Sequence, residues 1–150
     1  MAVDSVCVVL PATRAHAETV AFNIRDEDRA EIARSDGIGP FAALLDNIKA
    51  SAFARTVFIE GEAVAMFGVA GENMVWMLST KSVDRYPRRF WAASKLIIAE
   101  LRKHYPVLIA GIDANYSRAL TWARHLGFTI GPIVEIGPAK HPFHQVRLEA

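Results

Sequence analysis

The chain carries a single cysteine, Cys7, among its 150 residues. One thiol closes no internal disulfide, so the sequence is not a disulfide scaffold; it reads as a protein of a reducing compartment, or one indifferent to redox. Long apolar runs are missing too. Those at 6–10 and 107–109 fall far short of the roughly 20 residues that a membrane-spanning helix needs. The start Met1-Ala2-Val3-Asp4 has neither the basic region and apolar stretch of a signal peptide nor the glycine that myristoylation requires. Neither sign of charge is in excess: 17 Lys+Arg face 16 Asp+Glu, a net charge of +1, and 22% of residues are charged. That balance argues against a bulk-basic nucleic-acid binder, a disordered chain or an acidic tail. Repeats, low-complexity tracts, Ser/Gly linkers, a Gly-x-Ser-x-Gly turn and a Walker loop are likewise absent. The location expected from these absences is cytoplasmic.

What remains is one domain over 1–150, 52% hydrophobic, long enough to fold around its own core. Residues 5–10 are apolar and β-branched and end at Pro11, the pattern of a strand. Thr13 caps a helix running to about Phe22. Residues 26–34 start acidic and end basic, as the helix dipole prefers, and a Ser-Asp-Gly stop follows. Pro40 opens a third helix, with Phe41, Leu44, Leu45 and Ile48 at helical spacing. Strands are expected at 56–59, 63–69 and 74–79, joined by turns at Gly61 and Gly71. Pro87 opens a long helix whose Phe90, Ala93, Ile97, Leu101 and His104 share a face, and Tyr105-Pro106 closes it. Residues 107–112 read as a strand buried on both faces. A short helix at 117–126 stops at Gly127. Two strands, about 129–136 and 143–148, finish the chain. A long helix between strands 74–79 and 107–112 implies a parallel pair in an otherwise antiparallel sheet, an α+β domain with a mixed sheet.

Chemistry concentrates at Arg85, Arg88 and Arg89, crowded on the start of the long helix. The macrodipole places about half a positive charge there, so each cation costs roughly 0.3–1 kcal/mol. Unpaired backbone N–H groups point the same way, and the combination suits an anion, a phosphate first of all. The competing reading is that the arginines splay into water or pair with acids elsewhere. Asp113 and Glu72 are the carboxylates available as a general base, and each is equally a cap or turn residue. His141 and His144 flank a proline in a strand entry without a Cys or carboxylate cluster, so no metal site is expected. Trp76, Trp91 and Trp122 each fill an apolar face rather than stack on bases.

The element order resembles the Gcn5-related N-acetyltransferase (GNAT) superfamily over nearly the whole chain. In that family the helix after the fourth strand opens with a Gln/Arg-x-x-Gly-x-Gly/Ala motif that holds the acetyl-CoA pyrophosphate. Arg89-Phe90-Trp91-Ala92-Ala93-Ser94 is similar to it, with Ala92 and Ser94 at the glycine positions. The run from Asn115 to Phe128 resembles the family's Asn-x-x-Ala-x-x-Leu-Tyr-x-x-x-Gly-Phe segment. Ala119 matches the alanine and Trp122 the leucine, and Ala123 stands where many members place the tyrosine that protonates the leaving thiolate. More loosely, Pro87-Arg88-Arg89-Phe90, Ser94-Lys95 and Leu126-Gly127-Phe128 resemble small GNAT-like proteins of tailed bacteriophages.

The resemblance implies a protein that binds acetyl-CoA as co-substrate and transfers its acyl group to an unidentified amine by direct attack in a ternary complex. It implies a coenzyme site built from Leu78, Ser79, Val83, Arg88, Arg89, Ala92, Ala93, Ser94, Asn115, Ala119 and Trp122. Tyr116 and Asp113 are the candidate catalytic residues. The alternative is an inactive GNAT-fold phage structural or host-interaction protein with virion partners, located in the virion if the chain is phage-encoded. The partners expected are an amine acceptor and a second copy joined through the C-terminal hairpin, with no membrane and no nucleic acid.

Overall fold

A computed structural model describes residues 2–4 and 7–149. The chain runs β1 (Ala2–Asp4), β2 (Cys7–Pro11), α1 (Arg14–Phe22), α2 (Asp26–Asp36), α3 (Pro40–Ala50), β3 (Ser51–Ile59), β4 (Glu62–Ala70) and β5 (Met74–Ser79). A 3-10 turn at Lys81–Arg85 leads into α4 (Pro87–His104), then β6 (Val107–Asp113), α5 (Ser117–His125), β7 (Thr129–Ile136) and β8 (His141–Glu149). Residues 5 and 6 of the strand expected at 5–10 lie outside the described residues. The eight strands form one sheet in the order β1-β2-β3-β4-β5-β6-β8-β7, antiparallel except for β5 beside β6. This is the mixed α+β architecture expected from the sequence. Two strands differ from expectation: β1 is an added edge of three residues, and β3 starts at Ser51, where α3 ends, instead of at 56. There the Ser51 hydroxyl donates to the Asn47 carbonyl and closes the helix without a glycine.

Local chemistry sets the elements. Thr13 caps α1 as expected: its hydroxyl accepts the His16 N–H at 3.1 Å, and the His16 ring accepts the Thr13 N–H at 3.3 Å. Gly37 ends α2 at φ +70°. Gly68 lets Trp76 cross β4, because a Cβ there would sit 2.9 Å from the indole and 2.7 Å from the Phe53 carbonyl.

The sheet has a core on each face. One side packs α4 and α5 over residues such as Val57, Phe67, Ile97, Leu101, Leu108 and Val146. The other packs α1–α3 over Val20, Ile24, Leu44, Met66 and Leu78. Fully burying one such side chain contributes roughly 1.5–3 kcal/mol. The β7–β8 hairpin, where a second copy is expected, forms one edge of the sheet with Ile133 and Val134 exposed. No helix among the described residues is long and apolar enough to cross a membrane.

One break in regularity positions everything that follows. β5 and β6 are in register at a single position, Met74 opposite Ile109, and then diverge.

Candidate active site

Backbone directions come first. Successive residues of a strand send their N–H and C=O groups to opposite sides. The Thr80 N–H donates to Val64 of β4, so Ser79, Met77 and Val75 turn theirs toward β6. On β6 the Ile109 N–H donates to Asn73 and the Asp113 N–H to the Glu31 carboxylate, so Gly111 also faces the gap. Ser79 is already occupied. Its N–H donates to Asp28 at 2.7 Å, and its carbonyl accepts the Arg25 N–H at 3.0 Å. The free edge of β5 is therefore the N–H and C=O of Met77 and the C=O of Val75.

The gap opens into a cavity of about 600 Å³ that passes between the strands and reaches both faces of the sheet. On one face its wall is α2. Ile32 is the only large apolar side chain in that helix and is buried, so the face it defines points inward. Asp28, Glu31, Ser35 and Asp36 share that face and line the cavity. On the other face Phe90, Trp91, Ala119 and Trp122 line it, with the Phe90 and Trp122 rings stacked at 6.3 Å.

The electrostatics of the α2 wall are unusual. Glu31 accepts the Asp113 N–H at 2.9 Å. Burial, and then the negative charges of Asp28, Asp113 and Asp36, push its carboxyl up to about 7. Asp28 is also raised, by burial first, with the Ser79 hydrogen bonds and the Tyr116 hydroxyl working against it. Burial and Asp28 raise Tyr116 in turn, so its hydroxyl stays protonated against the Asp28 carboxylate.

Ion pairs frame the mouth. Asp84 receives Arg25 and Arg118, each at 2.7 Å, and so links α2, the turn before α4, and α5. At the start of α4, Arg85 pairs with Glu62 and Arg89 with Glu60 (2.7 Å), both acids coming from the β3–β4 turn. Tyr86 lies between these two guanidiniums, about 5.9 and 5.8 Å from its ring centre. Arg88 is exposed, and no carboxylate among the described residues pairs with it. Pro87 has no N–H, and the Phe90 N–H is bonded to the Tyr86 carbonyl. The amide of Arg88, in the first turn of α4, has no intrahelical acceptor.

The structure brings Leu78, Ser79, Val83, Tyr116, Ala119 and Trp122 into the cavity wall. The others stand elsewhere. Ala92 is exposed, and Ala93 and Ser94 are buried inside α4 with their amides in the helical ladder. The Ser94 hydroxyl donates to the Phe90 carbonyl. Asn115 is exposed and donates its N–H to Asp113. Asp113 is 1% exposed and holds Arg34 at 2.6 Å. The residues that sequence reading missed are Glu31 and Asp28, together with Arg25. The signal available was Ile32: the lone apolar residue of an acidic helix marks which acids must turn inward. His144 donates to the Gly131 carbonyl at 2.9 Å, and the described residues hold no cluster arranged for a metal.

Fold and gap together define the architecture of the GNAT acyl-CoA N-acyltransferases. Solved structures that share it include the ribosomal L7/L12 alpha-N-protein acetyltransferase RimL in complex with coenzyme A. That likeness has a TM-score of 0.73 at 10% identity, over 99% of this chain and 96% of that one. The ribosomal-protein-S5-alanine acetyltransferase from Vibrio fischeri matches with a TM-score of 0.66 at 14% identity, over 97% and 94%. A GNAT-family acetyltransferase from Bacillus anthracis matches with 0.68 at 11%, over 97% and 95%. At these identities the likeness establishes the fold. No family model matches the sequence, and no curated protein matches it.

Proposed function

We propose that this chain is an acyl-CoA-dependent N-acyltransferase in which Glu31 takes the proton of the acceptor amine. The observation that carries the reading is a carboxylate, Glu31, held by the Asp113 N–H on the wall of a gap edged by unpaired strand groups; burial and its acidic neighbours push its carboxyl up to about 7. A base with that pKa is ionised often enough at pH 7 to accept a proton and is basic enough to hold it.

The residues present fit the coenzyme at two places. The Met77 N–H and C=O and the Val75 C=O match an arm that carries amides and lies along β5 as an added strand. Arg88, through its exposed guanidinium and its first-turn amide, matches its phosphates. The coenzyme supplies a thioester activated toward attack. The α2 wall, with Asp28, Glu31 and Asp36, draws in the acceptor as an ammonium ion, and Glu31 leaves it as a neutral amine. Tyr116 and Ser79 fix Asp28, and Arg34 fixes Asp113, so the carboxylate array keeps its shape. Holding the reactants in one geometry supplies much of such catalysis without a dedicated acid at position 123.

Isothermal titration with acetyl-CoA tests the reading. Micromolar binding is expected, weakened about tenfold in Arg88→Ala by loss of a charge-assisted contact. With a panel of primary amines, Glu31→Gln is expected to keep coenzyme affinity and lose about 100-fold or more in turnover. No heat at millimolar coenzyme would remove the enzyme and leave the fold as an interaction module, the role a virion component would have.

A further inference from the structure

We infer that the cavity is shaped for an acyl group longer than acetyl, its chain lying on the apolar floor of the gap beneath α4. This rests on the acyltransferase reading and narrows the donor it uses.

Four observations converge. First, the cavity does not stop at the strand edges. It continues to Phe67, Ile97, Leu101, Phe128 and Val146, all buried in the core under α4 and α5. Protein cores are packed like organic crystals, and voids beyond the size of a water molecule are few. An apolar extension of this kind costs stability when empty, and a methyl group alone does not fill it. Second, the wall on the α4 and α5 face is cut back to small residues: Ala110, Ala119 and Ala123 line it. Ala123 is 2% exposed, so the room beside it belongs to the interior and not to solvent. Third, the charged groups keep to the α2 side of the gap and to the start of α5. Arg25, Asp28, Glu31, Asp36 and Arg118 come from α2, its N-terminus and the start of α5, and none comes from the floor. An uncharged chain meets no ion there to desolvate.

Fourth, a donor waits at the rim. The Trp122 indole N–H is buried and has no acceptor among the described residues, and Trp122 lines the cavity with its ring held on Phe90. Indole nitrogen donates only, and a buried donor is stabilised by an acceptor, a role that a ligand oxygen can fill. A carbonyl oxygen of the acyl donor provides one and fixes where the chain enters the floor. Trp122 is thus a positioning residue for the acyl donor.

Calorimetric titration of the whole protein with acetyl-, butyryl- and hexanoyl-CoA decides the matter. Each methylene taken out of water contributes about fourfold in affinity, so hexanoyl-CoA is expected to bind at least roughly tenfold tighter than acetyl-CoA. In Ala123→Leu, which fills the space under the helix, that ratio is expected to fall to about one. Trp122→Phe keeps the ring and removes the donor, and is expected to weaken all three ligands alike by about tenfold. Acetyl-CoA binding as tightly as hexanoyl-CoA would overturn the long-chain inference alone. Failure of all three to bind would remove the acyltransferase reading with it. The series on the unaltered protein settles the question even where a variant does not fold.

Discussion

Glu31 is tied down by one hydrogen bond, from the Asp113 amide, and faces three other carboxylates. Its carboxyl sits near 7 in the folded protein against 4.5 when free. Below about pH 4.5 both folded and unfolded chains hold this proton, and the group is neutral to stability. Between 4.5 and 7 the folded state keeps a proton that the unfolded chain has released, so stability falls as pH rises through that window. Above 7 the whole penalty is present. Glu31→Gln removes it while leaving an oxygen to accept the Asp113 N–H. The variant is expected to be more stable than the parent at pH 8, by on the order of 2 kcal/mol, and equal to it at pH 4, as read by thermal melts at both. Activity runs the other way. The parent's rate should climb with pH around 7, and the variant should be low and flat across the same range. A variant with parental stability at pH 8 would show that neither burial nor the like charges penalise the ionised Glu31. A residue that weakens the fold while serving the site is the trade-off expected of a functional group.

At the scale of elements, α2 is the piece on which the site depends, and it is pinned by its C-terminal half. Arg34 reaches the buried Asp113 at the end of β6, and Glu31 holds the amide of the same residue. Arg34→Ala leaves a carboxylate that is 1% exposed without its cation, which costs about 3 kcal/mol. For a chain of this length that corresponds to a melting temperature lower by roughly 6–12 °C, measurable by calorimetry. Arg34→Lys should recover part of it. Loss of less than about 1 kcal/mol would mean that water reaches Asp113. The other elements explain what the sequence makes legible. Apolar periods of two and 3.6 place most of the strands and the helices α3, α4 and α5, because in each one face meets a core, whereas the Thr13 cap marks α1 and the acid-to-base charge order and Gly37 mark α2. β1 is too short to carry a period. The cavity wall at Leu78, Ser79, Ala119 and Trp122 is also legible, through the motif segments that the resemblance supplies. The α2 acids are not, because a charged helix normally turns its acids to water, and only Ile32 says otherwise. The surroundings of the phosphate motif are not legible for a different reason. Pro87 starts α4 so early that the amides of positions 92–94 fall inside the hydrogen-bonded ladder, where they have nothing left to donate. The crowding of arginines is real, but Glu60 and Glu62 come from a turn some 25 residues away in sequence, and no local pattern announces that they meet.

The whole molecule is a sheet in two parts, β1–β5 and β6–β8, touching through one bridge position between Met74 and Ile109. Elsewhere the parts are joined by side chains: Arg34 on Asp113, Glu31 on the Asp113 amide, and Asp84 between Arg25 and Arg118. A ligand lying along β5 supplies the strand that the gap lacks, so its binding should be felt by the entire fold. At a concentration 100 times its dissociation constant, a ligand specific for the native state contributes about 2.7 kcal/mol. At roughly 2–4 °C per kcal/mol, acetyl-CoA is expected to raise the melting temperature by about 5–11 °C. Hydrogen exchange locates the effect. The amides of Met77 and Gly111 face the gap and should exchange quickly in the free protein, whereas that of Leu78, turned toward β4, should be slow. With acetyl-CoA bound, Met77 should slow toward the rate of Leu78. Stabilisation without protection at Met77 would put the coenzyme somewhere other than the gap, whereas protection at both strands would show the two half-sheets being drawn into one by what they bind.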